Sequence, residues 1–164
     1  MEKKLSHSKK IDTVDILNIG QAKKYLKNKK CIVITGVTGQ DGSHMIDYLL
    51  KNTEDYIIFG GVRRLSIYNH KNIKHIHSDR FRLINFDLTD SHIILKIFEL
   101  LKPSYFINFA AQSFVGSSWD FPEQTWNVNS TSIIHILENI RTFAPKCRFY
   151  QAGSSEEFGN VESA

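Results

Sequence analysis

Apolar and polar positions follow two different rhythms along the chain, and the change comes near residue 30. Residues 1–10 are polar and Lys-rich without an apolar period, which reads as a disordered start. From Thr13 to Lys27, the residues Val14, Ile16, Leu17, Ile19, Ala22 and Leu26 allow an irregular amphipathic helix that Gly20 weakens. That segment is either a solvated leader or a short packing helix. The chain then divides into a Lys-rich leader over 1–30 and a domain over 31–164. Beyond residue 30, apolar runs alternate with helical periods. The runs are "CIVIT" (31–35), "YIIFGGV" (56–62), "RLINF" (82–86), "YFINFAA" (105–111) and "RFYQAG" (148–153), and helical spacing falls at 43–52, 90–102 and 125–143. Strands apolar on both faces and separated by helices predict a parallel sheet covered on both sides. Right-handed crossovers make this an α/β, doubly wound sheet, here with five strands.

In such a sheet the ligand crevice lies beyond the carboxyl ends of the strands. The residues following each run are therefore predicted to meet: Gly36–Gly42, Arg63–Arg64, Asp87–Leu88, Ala110–Ser113 and Ser154–Glu156. The first group, "GVTGQDG", has glycines at 36, 39 and 42, directly after a strand and directly before a helix. One glycine permits a sharp reversal with positive φ, a second lets a pyrophosphate approach the backbone, and a third lets helix and strand pack closely. The helix start adds unpaired N–H groups and a positive dipole end for the anion. The bare G-x-x-G-x-x-G pattern also fits a purely structural turn; its strand-to-helix context favours a dinucleotide in a Rossmann-type fold. At the end of the second run stand Arg63 and Arg64, with no carboxylate in "FGGVRRLS". An acidic residue there would select the ribose of NAD, whereas guanidinium groups suit the 2′-phosphate of NADP. Two solvated surface arginines are the alternative.

Charge changes the picture little. Residues 1–30 hold nine lysines against Glu2, Asp12 and Asp15, a net +6, which leaves the remainder at −2 of the overall +4. The slightly acidic body offers no footprint for nucleic acid. Cys31 and Cys147 sit in strand-like runs and are too few for a disulfide scaffold, so free thiols in a reducing, cytoplasmic setting are expected. No apolar run is long enough to span a membrane, and the lysines at the start precede no secretory h-region. His70, His75 and His77 cluster in "NHKNIKHIH" without the spacing of a metal site. His44 and His135 fall on predicted helices, and Trp119 and Trp126 read as core or crevice wall.

Taken together, "ITGVTGQDGSHMIDYLL", "GGVRRLS", "NFDLTD", "NFAAQSFVGSSWDFPEQT" and "RFYQAGSSEEFG" resemble the N-terminal half of the GDP-mannose 4,6-dehydratase family, within the extended short-chain dehydrogenase/reductases. The likeness runs from Cys31 to Gly159. It implies NADP as cofactor and GDP-mannose, or a related sugar nucleotide, as substrate, with homo-oligomeric full-length subunits. By this resemblance Gly36, Gly39, Gln40, Asp41 and Gly42 form the pyrophosphate turn, and Arg63 and Arg64 hold the 2′-phosphate. Asp87 and Leu88 flank the adenine, and Ala110, Ala111 and Gln112 line the nicotinamide ribose. Ser113 and Ser118 lie near the sugar nucleotide. Ser154 hydrogen-bonds the C4 oxygen of the sugar, and Glu156 acts as the base at C5.

Two departures stand out. The family's Ser-Thr-Ser-Glu is followed by an apolar residue and Tyr, whereas this chain reads Gly153, Ser154, Ser155, Glu156, Glu157 and Phe158. Glu157 either perturbs its neighbour or faces solvent, and Glu156 is either the base or a solvated carboxylate. The superfamily's Tyr-x-x-x-Lys pair is expected beyond Ala164, together with the C-terminal substrate part. The only such spacing here, Tyr25 to Lys29, lies ahead of the first run. Without that C-terminal part, 148–153 is expected to be a bare sheet edge. Three readings stay open: the cofactor-binding half of the dehydratase, a non-catalytic NADP-binding module, and a related epimerase or dehydratase.

Overall fold

A computed structural model of the chain describes residues 16–64 and 70–159. The expectation of disorder over 1–10 lies outside these residues. Helices cover both faces of a parallel sheet with strand order β1-β4-β3-β2-β5-β6. The strands are β1 (Ile16–Leu17), β2 (Lys30–Thr35), β3 (Tyr56–Val62), β4 (Phe81–Asn85), β5 (Tyr105–Asn108) and β6 (Arg148–Gln151). From β2 the chain runs outward through β3 and β4, then crosses back to place β5 on the other side of β2. The gap between the ends of β2 and β5 is therefore the topological switch point.

The alternation along each strand explains the two-sided burial. Cys31 and Val33 of β2 and Ile57 and Phe59 of β3 join one apolar cluster with Ile94, Ile97 and Phe98 of α3 (Ser91–Leu101) and Ile136 of α6 (Ser132–Phe143). Ile32, Ile34 and Ile58 face the other way, toward Ile46 and Leu49 of α2 (Gln40–Asn52) and toward Ile73. Odd and even positions of one strand thus serve opposite layers.

Among the described residues the sheet has six strands, not the five expected, and the sixth comes from the supposed leader. Ile16 and Leu17 pair in parallel with Leu83 and Ile84 on the outer edge of β4. The following α1 (Ile19–Tyr25) opens with a capping box in which Asn18 Oδ1 accepts from Gln21 N at 2.9 Å and Asn18 N donates to Gln21 Oε1 at 3.0 Å. Ile19 and Ala22 are buried against α3's cluster, and the Arg82 guanidinium lies 5.0 Å from the centroid of the Tyr25 ring. This segment is the short packing helix rather than the solvated leader, because its few apolar residues find an otherwise open sheet edge. At the opposite edge β6 has no outer neighbour among the described residues, as expected.

The 125–143 region is broken more than its period suggests. Two short helices, α4 (Val115–Asp120) and α5 (Pro122–Trp126), lead into a π-helical turn at Asn127–Thr131 before α6. Neither α4 nor α5 buries a residue, so Trp119 and Trp126 are 84% and 65% exposed, not core or crevice wall. Cys31 and Cys147 are free thiols, as expected. Burial pushes them up to about 12 and about 11 respectively, so both stay protonated and unreactive near neutral pH. No helix among the described residues is long and apolar enough to cross a membrane.

Candidate functional site

At the carboxyl ends of the strands lies a cavity of about 650 Å³ that straddles the switch point. Its floor is the turn after β2. Gly36 has φ +67°, and a Cβ there would lie 2.8 Å from the Phe109 carbonyl carbon and 2.9 Å from Ala110 N. Only glycine lets the β2 turn and the segment leaving β5 approach so closely. Gly42 plays the packing part: a Cβ on it would come within 2.8 Å of the Gly36 carbonyl carbon and of Val37 Cα, so α2 rests directly on the turn. Gly39 is the N-cap of α2 and brings no side-chain cap, which leaves the helix start to whatever enters the cavity.

A polar row, buried at Thr35 and Asn108, stiffens this floor. Thr35, Asn108 and Gln151 are register partners across β2, β5 and β6. The Thr35 hydroxyl donates to Asn108 Oδ1, and Asn108 Nδ2 donates to Gln151 Oε1 at 2.8 Å. Thr35 Oγ1 also accepts from Ala110 N at 3.1 Å, so the row fixes the first residue of the cavity's far wall. Sequence reading missed it because polar residues inside apolar runs carry no sign of their cross-strand partners.

Beyond Ala110 the wall is held by a second network. Asn129, in the π-helical turn, accepts from Gln112 N and donates to Gln112 O, both at 2.9 Å. The Gln112 side chain accepts from Phe114 N at 2.7 Å and donates to Phe114 O at 3.1 Å. Its amide thus shapes the loop. On the opposite wall Asp87 Oδ1 accepts from Thr89 N and Thr89 Oγ1 at 2.9 and 2.8 Å, which sets the turn that carries buried Leu88.

The expected site residues divide accordingly. Gly36, Gly39 and Arg63 line one part of the cavity, with Asp87 and Leu88. Ala110, Ala111, Gln112 and Ser113 line another. Gly42 is buried behind the turn, and Gln40 belongs to a separate open hollow of about 410 Å³ beside α2. Asp41 and Arg64 are exposed outside the wall. Ser118 donates to Val115 O at 2.6 Å and is not on the wall, whereas its neighbour Ser117 is. Thr38, His70, Phe121 and Gln124 also line the cavity and were not singled out as binding residues.

Among the described residues none beyond Val128 lines it. Ser154 is exposed and follows the end of β6, and Glu156 lies in the 3₁₀ turn Ser155–Phe158. Glu157 closes that turn by accepting from Ser154 N at 3.1 Å. Its charge therefore has a local structural task. The described residues hold no group of three or more His, Cys, Asp or Glu suited to a metal ion.

A doubly wound parallel sheet with a glycine turn and an uncapped helix start at its switch point defines a Rossmann-type α/β domain. The solved UDP-Glc/GlcNAc 4-epimerase of Campylobacter jejuni shares this fold, with a TM-score of 0.70 at 23% identity over 82% of this chain and 40% of that one. The sequence model described as GDP-mannose 4,6 dehydratase matches residues 33–164. The chain is 41% identical over 141 residues to the GDP-mannose 4,6 dehydratase of Drosophila melanogaster, covering 80% of this chain and 35% of that protein. To the GDP-mannose 4,6-dehydratase of Vibrio cholerae it is 38% identical over 143 residues, covering 82% and 38%. The chain belongs to the GDP-mannose 4,6-dehydratase family, and it spans 35–38% of the length of these two relatives.

Proposed function

We propose that the cavity holds NADP and that the chain is the cofactor-binding part of a dehydratase acting on GDP-mannose. The observation that carries this reading is the switch-point floor. Gly36 and Gly42 leave no room for a Cβ, the start of α2 has no side-chain cap, and Arg63 stands on the same wall. A pyrophosphate fits such a turn, and a guanidinium at the end of the second crevice strand favours a 2′-phosphate.

Each residue then has a task. Gly36 and Gly39 bring backbone to the pyrophosphate. Arg63, with Arg64 beside it in sequence, neutralises the 2′-phosphate, and Leu88 supplies an apolar contact for the adenine. Ala110 and Ala111 keep the wall at the nicotinamide ribose small, and Ser113 is available to the sugar nucleotide. When bound, NADP supplies a reversible hydride acceptor, and the net change is loss of water from GDP-mannose to give GDP-4-keto-6-deoxymannose. Ser154 hydrogen-bonds the C4 oxygen of the sugar. Glu156 accepts the C5 proton, which the adjacent ketone makes acidic. Both follow β6, the neighbour of β5 in the sheet, and so belong to the same carboxyl edge as the cavity. Exposed Ile134 and Leu137 on α6, with Tyr150 and Phe158 near β6, suit burial against the rest of a relative-length subunit or a second subunit.

The test has two stages. Calorimetric titration of the protein with NADP and NAD reads cofactor binding, and mass spectrometry of GDP-mannose incubated with protein and NADP reads loss of water. Binding with NADP preference and turnover supports the full reading. Binding without turnover leaves a cofactor-binding module, and no binding overturns both.

A further inference from the structure

We propose that His70 is a specificity-determining residue that contacts, alongside Arg63, the phosphate on the cofactor's adenosine ribose. The inference rests on the reading of the cavity as an NADP site. In sequence His70 belongs to a polar stretch with no assigned role. In the fold it is half-buried on the cavity wall, together with Arg63 and with Thr38 of the glycine turn.

Its position is determined by its neighbours. The turn over 71–75 is pinned at three points. Asn72 Nδ2 donates to Thr38 O at 2.8 Å, tying the turn to the glycine turn itself. Ile73 is 3% exposed within the apolar layer that holds Ile46 and Leu49 of α2. His75 Nε2 lies 3.1 and 3.0 Å from the two carboxylate oxygens of Asp47 on α2. The His70 carbonyl accepts from Ile73 N at 3.0 Å. The turn therefore has anchors other than the imidazole.

These anchors hold His70 on the cavity wall that it shares with Thr38 of the glycine turn and with Arg63 after β3, and the interval from that turn to the end of β3 is the one that matters. In a doubly wound fold the adenosine ribose crosses that interval, because the pyrophosphate sits at the first turn and the second strand's end meets the ribose. A carboxylate there would repel a ribose phosphate and suit a free 2′-hydroxyl. The chain places a guanidinium and an imidazole there instead. Imidazole donates an N–H in either protonation state and adds positive charge when protonated. It complements the paired donors of Arg63 on a phosphate while offering little to a bare hydroxyl.

The experiment compares the dissociation constants of NADP and NAD for the native chain, His70→Ala and His70→Lys, by calorimetry in one buffer at one salt concentration. The expected result is a loss of about tenfold in NADP affinity in His70→Ala, as for a charge-assisted hydrogen bond. NAD affinity changes less than about twofold, and His70→Lys retains the NADP preference because it restores a donor and a charge. Equal weakening of both cofactors in His70→Ala makes the residue a structural part of the turn and overturns the proposal. So does an unchanged NADP affinity. A native chain that binds NADP no better than NAD overturns the cofactor reading and this inference with it, and that result is read before any variant is made.

Discussion

Asn108 sits at the centre of the polar row beneath the cavity, and removing its amide has a cost that can be worked from its partners. Asn108 and Thr35 are both 0% exposed, whereas Gln151 is exposed. In Asn108→Ala the Gln151 oxygen turns to water at little cost. The Thr35 hydroxyl has no such escape, and an orphaned buried donor costs about 1–3 kcal/mol. Truncation of the buried side chain adds about 1 kcal/mol for lost packing, giving a total of about 2–4 kcal/mol. In a Thr35→Val background the orphaned hydroxyl no longer exists, and the valine mutation has already left Asn108 Oδ1 unpartnered. Asn108→Ala then removes an unsatisfied atom instead of creating one. The two substitutions should couple by about 1–2 kcal/mol, with the double variant more stable than the sum of the single costs. Urea unfolding of the four proteins, followed by fluorescence, gives the cycle directly. Costs that add to within about 0.3 kcal/mol would show that the row is not an interacting unit.

Three further outcomes follow from the same geometry. Gly36→Ala should destabilise by about 3 kcal/mol or more in urea unfolding and abolish cofactor binding. It combines a left-handed φ of +67° with backbone atoms 2.8 and 2.9 Å from the new Cβ; an unchanged midpoint would refute the close approach. Stability should fall as pH rises from about 9 toward 12, because the folded chain holds the Cys31 proton up to about 12 while the unfolded thiol releases it near its ordinary value of 9.0. Cys31→Ala should flatten that decline in alkaline urea titrations, and an equally steep decline in the variant would assign it to other groups. Asn129→Ala should loosen the Gln112 loop by removing its two backbone partners. The amide of Gln112 should then exchange at least about tenfold faster in hydrogen–deuterium exchange, with exchange in the β2–β3 core unchanged.

What could be read from the sequence, and what could not, divides along physical lines. β2, β3 and α2 are legible because a run such as "CIVIT" is apolar at four of its five positions, and Ile46 and Leu49 recur at helical spacing beyond the glycines. β1 is not legible: two residues have no period, and Ile16 and Leu17 become a strand only because β4 has an open edge beside them. The 105–111 run ends as a strand at Asn108, since Phe109–Ala111 leave the sheet to form the cavity wall. Local chemistry pointed to the glycine turn and to Arg63, whose residue types alone carry the signal and which line the cavity. It gave no role to His70 or Asn129: Asn129 acts on Gln112, 17 positions away, and His70 is carried by a turn whose Asn72 bonds Thr38, 34 positions away. The Trp pair misled for the opposite reason: large aromatic side chains usually mark a core, but α4 and α5 bury none of theirs.

The most direct test of the central claim is a crystal structure of the protein grown with NADP. The pyrophosphate is expected on the Gly36–Gly39 turn at the start of α2, the 2′-phosphate beside Arg63, and the nicotinamide ribose against Ala110 and Ala111. Cofactor bound elsewhere, or a pyrophosphate out of hydrogen-bonding reach of that turn, would contradict the claim.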